Sequence, residues 1–283
     1  KPFGIEGILL NGETAEEIYE ACSEMLKTED FSVRNLMRTW NVKLVCTTED
    51  PLDSLQTHQA IRRDGFEIAV HTAWRPDKAM APEDTGAQNA WIDRLAELTD
   101  TDIRDFDCYL KAIRTRHDYF HANGCRLSDH GLDRPYAADY TEAEIRMIFT
   151  KIRANEVLSP DECEKFKSAM LLEFGRMDCE KGWVQQFHFG AIRNNNSRMF
   201  ARLGPDTGFD SIGDFEIALP LAKFLDTLAS EDRLAKTILY NLNPKDNEVL
   251  ATMIGNFQDG NTPGKLQLGS GWWFLDQMDG MIR

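Results

Sequence analysis

Residues 182–196, GWVQQFHFGAIRNNN, read as a buried strand that ends near His188 and opens into a loop carrying Arg193 and the successive asparagines Asn194, Asn195 and Asn196. Successive side chains of a strand point to opposite faces, so Gln186, His188 and Gly190 share one face while Phe187 and Phe189 take the other. In a parallel α/β protein the ligand sits just outside the carboxyl ends of the strands. An inward-facing Gln and His at that end would line a site, and apolar scaffold gives way to chemistry within this one run.

The same layout recurs along the chain. Short apolar or β-branched runs at Val42–Cys46, Phe66–His71, Cys125–Leu127, Trp183–Phe189, Thr237–Leu242 and Lys265–Leu268 make six candidate strands. They are followed in turn by TTEDP, TAWRPDK, SDHGLD, GAIRNNN, NPKDN and GSGWWF. Helical stretches separate them, which argues for βα units and a parallel sheet. Thr14 with Glu17, Thr141 with Glu144, and Ser159 with Pro160 and Glu162 are helix-start signals ahead of amphipathic runs. From about residue 84 to 181 the chain reads as mostly helical with one short strand near 125–127, a helical insertion within a single α/β domain covering 1–283. No internal repeat or low-complexity linker marks another boundary.

Composition narrows the function. Asp and Glu outnumber Lys and Arg by 47 to 32, a formal charge of −15, which repels nucleic-acid backbones and anionic lipid. A small anionic substrate remains compatible, because a few focused arginines override the global charge within a cleft. Six cysteines lack CxxC pairs or a regular disulfide or zinc spacing, as expected of reduced thiols in a cytoplasm. No apolar stretch approaches the roughly 18–20 residues of a membrane span. The chain opens at Lys1 without a methionine, and both its ends read as cut.

Arg75 leaves a strand end between Trp74 and Pro76, a placement suited to holding a carboxylate bidentately, with a surface ion pair to Asp77 or Glu67 as the competing use. His188 is suited to act as a general base, an orienting donor or a ligand. His130, with Asp129 and Asp133 close by, is a weaker acid–base candidate, equally readable as turn chemistry. His117 and His121 stand at i and i+4 without the intervening Glu of a metalloprotease, and read as a solvated helix face. The Asn243–Asn247 run reads as a helix cap. In GSGWWF, Trp272 and Trp273 offer indole faces to a sugar, with one of them equally readable as core. No P-loop, dinucleotide fingerprint or nucleophile elbow is present.

Taken together, FGIEGILL (3–10), VCTTEDPLDSL (45–55), AWRPDKA (73–79), the 182–196 run, ILYNLNPKDNEVL (238–250), GNFQDG (255–260) and GKLQLGSGWWFLDQMDGM (264–281) resemble the uronate isomerases of the amidohydrolase superfamily. The resemblance implies a distorted (β/α)8 TIM-type barrel with a helical insertion. It also implies interconversion of D-glucuronate with D-fructuronate and of D-galacturonate with D-tagaturonate. A divalent metal, expected to be zinc, comes with the family, as does a cytoplasmic enzyme compatible with a homo-oligomer. On this reading Arg75 takes the substrate carboxylate, His188 sits beside the metal or sugar oxygens, and Trp272 or Trp273 forms a wall of the pocket, with Asn194 a further substrate-binding residue. Uronate isomerases also carry His-x-His at the first barrel strand, a His-Tyr pair soon after and Asp-Ser-Arg at the eighth, and this chain has none of these. Its six strands then correspond to the second through seventh, with the metal ligands outside it, so that it would be inactive alone. A metal-dependent hydrolase and a silent uronate-binding or oligomerisation module are the rival readings.

Overall fold

The computed structural model describes residues 3–282; Lys1 and Arg283, where the sequence reads as cut, lie outside them. The described chain packs as two compact units, one of residues up to 46 with 57–71, the other of residues 47–56 with 72 onward. The smaller holds α1 (Ala15–Leu26), α2 (Val33–Thr39), the first residues of β1 (Leu44–Glu49), most of α3 (Gln56–Arg63) and the first residues of β2 (Ala69–Trp74). Neither α1 nor α2 buries a residue. Arg34 pairs with Asp64, Arg38 lies 2.5 Å from Glu67, and both guanidinium groups cover the Phe66 ring. The Thr14–Glu17 capping box does not form. Thr14 instead donates its hydroxyl to the Leu9 carbonyl at 2.7 Å, leaving α1 without a side-chain cap.

The larger unit continues through α4 (Thr85–Thr99), α5 (Phe106–Ala122), β3 (Leu127–Leu132), α6 (Glu142–Arg153), α7 (Pro160–Lys181) and β4 (Val184–Phe189). Then come β5 (Ala191–Ile192), α8 (Ser197–Leu203), β6 (Ser211–Ile212), α9 (Ala218–Ser230), β7 (Lys236–Asn241), α10 (Asn247–Gly255), β8 (Leu266–Leu268) and α11 (Met278–Ile282). It carries a parallel sheet in the order β1–β2–β3–β4–β7–β8, with β1 and β2 contributing their C-terminal residues, while β5 and β6 form a small antiparallel pair inside the loop after β4. Both helix-start signals of the helical stretch form as capping boxes, Thr141 with Glu144 on α6 and Ser159 with Glu162 on α7. No described helix is long and apolar enough to cross a membrane.

Six strands form the main sheet as expected, but the first three run two to three residues later than their apolar cores. The short strand expected near 125–127 is in fact Leu127–Leu132, so the polar run SDHGL is the strand rather than the loop after it. Thr47, Thr72, Ser128 and His130 read as loop because they are polar, yet each finds a partner within the fold. Thr47 lies 2.6 Å from Glu49, Thr72 donates to the same carboxylate, Ser128 donates to Asp178, and His130 Nδ1 faces Asp77 Oδ1 at 3.1 Å.

One apolar core fills the space between the sheet and α4–α7 and α9, with Trp74, Trp183, Phe174, Phe187 and Phe224 fully buried. His117 and His121 are not a solvated face. His117 is 2% exposed, its ring 3.9 Å from that of Trp183 and its Nε2 3.1 Å from Asp178, while His121 Nδ1 accepts the Trp183 indole N–H at 2.9 Å. Covering Trp183 required both rings, which is why a helix face rich in polar residues turned inward.

Candidate active site

Arg75 follows β2 directly, and its backbone N–H donates to the Glu49 carbonyl at the end of β1 at 2.9 Å. Pro76 then opens a tight helical turn, Asp77–Met80. The Asp77 carboxylate accepts the Gly131 N–H at 2.9 Å, fastening this turn to β3. Arg75 is thereby aimed across the sheet's carboxyl end, where its Nη2 donates to Asp129. Neither competing partner takes it, since Glu67 pairs with Arg38 and Asp77 is committed to β3.

Asp129 is 4% exposed and stands between two cationic or protonatable groups. Arg75 lies on one oxygen, and His188 Nδ1 lies 2.7 Å from the other. Neither atom of that second contact has a well-aligned hydrogen bond, so it acts by charge and proximity. Burial alone would raise the Asp129 pKa; the His188 contact and the Arg75 charge outweigh it and hold the carboxyl below its ordinary value.

Strand register assembles the rest. Gly131 stands opposite His188 on β3, and Tyr240 stands opposite it on β7. The Tyr240 ring lies parallel to the imidazole at 4.3 Å and 7°, and Trp272 meets it edge-on at 4.7 Å. A cavity of about 320 Å³ begins here, lined by Gly131, Trp272, Arg193, Tyr136 and Lys167 among others. Burial, then the nearby Asp129 charge, pushes the Tyr240 phenol upward and keeps it neutral.

Three of the sequence candidates, Arg75, His188 and Trp272, therefore meet. Trp273 does not touch His188; it stacks under the Arg193 guanidinium at 4.0 Å and lines a second cavity of about 450 Å³ with Asp206, Asp210 and Phe274. Asn194 serves the backbone, at φ 55° with its N–H on Asp210 at 2.8 Å. His130 is not an acid–base group of this cluster: it faces the core, stacked 5.0 Å from Phe187, because β3 alternation sends Ser128 and His130 toward the helices. Asp129 and Tyr240 were missed as site residues. Alternation within SDHGL and ILYNL was the available signal.

Stability from the Asp129 contacts is fully present above the unfolded-state value of 3.8 and is lost only as pH falls through the lower folded value. The Tm difference between the native protein and Asp129→Asn should stay constant from pH 6 to about pH 4 and shrink below it. A difference that collapses already between pH 6 and about 5 would show that Asp129 is not the group responsible.

The family model for glucuronate isomerase matches residues 1–283. The chain belongs to the glucuronate isomerase family. It is 59% identical over its whole length to the uronate isomerase of Cellvibrio japonicus. Its fold superposes on the uronate isomerase of Thermotoga maritima with TM-score 0.87 at 31% identity over 99% of the chain, and on the glucuronate isomerase of Caulobacter crescentus with TM-score 0.86 at 31% identity over all of it. The chain spans 60% of the Cellvibrio protein, 59% of the Thermotoga chain and 57% of the Caulobacter chain. These relatives carry isomerase names, and the hydrolase reading is not favoured. For this glucuronate isomerase family member, Asp129 and His188 supply two metal donors at most. No third His, Cys, Asp or Glu joins them in a ligating group among the described residues, so the residues present do not fit a metal site by themselves.

Proposed function

We propose that the Arg75–Asp129–His188 cluster is the substrate-orienting and proton-handling part of a uronate isomerase site, serving D-glucuronate with D-fructuronate and D-galacturonate with D-tagaturonate. The observation that carries this is the convergence of the three groups from neighbouring strands, Arg75 just past the end of β2, Asp129 within β3 and His188 near the end of β4, in a chain of this family. An open-chain aldose becomes a ketose when a proton leaves C2, an enediol forms and a proton returns at C1. An ionised Asp129 favours the tautomer of His188 with its proton on Nδ1, which leaves Nε2 as the basic atom. Such positioned proton transfer is worth about 10²–10⁴-fold. The Arg75 Nη2 is spent on Asp129 and its Nε is buried, so Nη1 is left for the uronate carboxylate.

In this reading the family's divalent metal, zinc, draws its ligands from outside these residues, and no step here runs through it. The 283-residue chain alone is then without turnover, and residues 84–181 are an insertion in a cytoplasmic, single-domain barrel enzyme that is open to homo-oligomer formation. NMR of D-glucuronate conversion tests the activity, with no conversion by the chain alone expected. In the active protein, Arg75→Ala should raise KM for the uronate by about 10–100-fold, the loss of one charge-assisted contact. An unchanged kcat/KM would remove Arg75 from this role.

A further inference from the structure

We infer that Tyr240 is a positioning residue for His188, and that the bare backbone of Gly269 exists to let the Tyr240 ring lie flat against the imidazole. The inference rests on the reading of His188 as the proton-handling group.

The geometry is a layered stack. Gly269, just past β8, is tied to β7 by its N–H on the Leu239 carbonyl at 2.8 Å. A Cβ built there would overlap Cδ1 and Cε1 of the Tyr240 ring. Its φ is not in the left-handed region, so the demand for glycine is steric and not conformational. On its other side the ring meets His188 face to face, and His188 is then closed in by the edge of Trp272 and by Asp129 at Nδ1. A ring held between a backbone and an imidazole has nowhere to yield, so one added methyl group is transmitted to His188. Among the described residues the phenol oxygen makes only a long 3.5 Å contact, from Gln186 Nε2, so the ring and not the hydroxyl does the positioning.

The His188–Asp129 contact is close but poorly aligned. A carboxylate holding one nitrogen without good angular geometry leaves the imidazole free to swing, and a stacked face removes that freedom. Preorganisation of this kind appears in kcat, because misplacement of a catalytic group by about 1 Å costs up to 10²-fold.

The test uses Tyr240→Phe, Tyr240→Leu, Gly269→Ala and His188→Asn in the active isomerase. Tyr240→Leu and Gly269→Ala should lower kcat by about 10–100-fold with KM within about 3-fold, while Tyr240→Phe stays within about 3-fold of the native kcat. In histidine-labelled protein the upfield ring-current shift of His188 Hε1 should survive in Tyr240→Phe and be lost in Tyr240→Leu, a signature that general destabilisation of a folded protein would not produce. Native kcat in Tyr240→Leu, or an equal loss in Tyr240→Phe, overturns the inference. Should Tyr240→Leu fail to fold, Gly269→Ala decides: an unmoved His188 resonance and native kcat overturn the inference. His188→Asn with native turnover would instead bring down the reading of the site itself.

Discussion

In the active isomerase, Asp129→Ala is expected to lower kcat by about 10²–10⁴-fold, the range lost when a positioned proton-transfer group is disabled. One carboxylate serves two neighbours here. Removing it frees the Arg75 guanidinium from its buried partner and removes the charge beside His188 Nδ1. The imidazole then loses its tautomer bias, and an analogous change in the aspartate of a catalytic triad is costly for the same reason. Asp129→Asn should be nearly as damaging despite its shape, because its amide NH₂ would face either the Arg75 donor or His188 Nδ1–H. Steady-state assays of the two variants, with far-UV circular dichroism to show folding, make the comparison. A loss below about 5-fold in both would mean that Asp129 organises structure only.

The largest expected effect on stability comes from the other side of the same strand. Asp178 is fully buried on α7, accepts from the Ser128 hydroxyl and faces His117 Nε2 at 3.1 Å. Asp178→Ala leaves both partners unsatisfied in the core, which costs about 3–5 kcal/mol. Asp178→Asn keeps one acceptor oxygen and should cost less. Urea denaturation distinguishes them, and a loss under about 1 kcal/mol for the alanine variant would mean that the two partners find other acceptors. Because Ser128 precedes Asp129, the folded fraction of Asp178→Ala in the active isomerase should also show reduced kcat.

The contrast between β4 and β3 explains what sequence reasoning reached. In β4 the alternation is chemically lopsided, with phenylalanines against one layer and Gln186 and His188 on the opposite face, so face and direction were legible. In β3 neither face looks apolar: Ser128 and His130 point to the helices, Asp129 and Gly131 to the site. Its polar residues are affordable only because Asp178 and Asp77 receive them, and those partners lie 50 and 53 positions away. No local pattern records such a contact. Tyr240 was hidden differently, since an aromatic in an apolar strand reads as core until register sets it against His188.

The alternation of β3 also bears on how this gene can change. A strand's side chains trade faces when its register moves by one residue. A single inserted or deleted codon within 127–132 would send Asp129 among Phe174 and Phe187 and turn His130 toward Arg75, exchanging the site and the core at one stroke. The following segment, 133–141, joins β3 to α6 and has no such parity to keep. Length variation in this stretch of the chain should therefore accumulate after Leu132 and be purged before it.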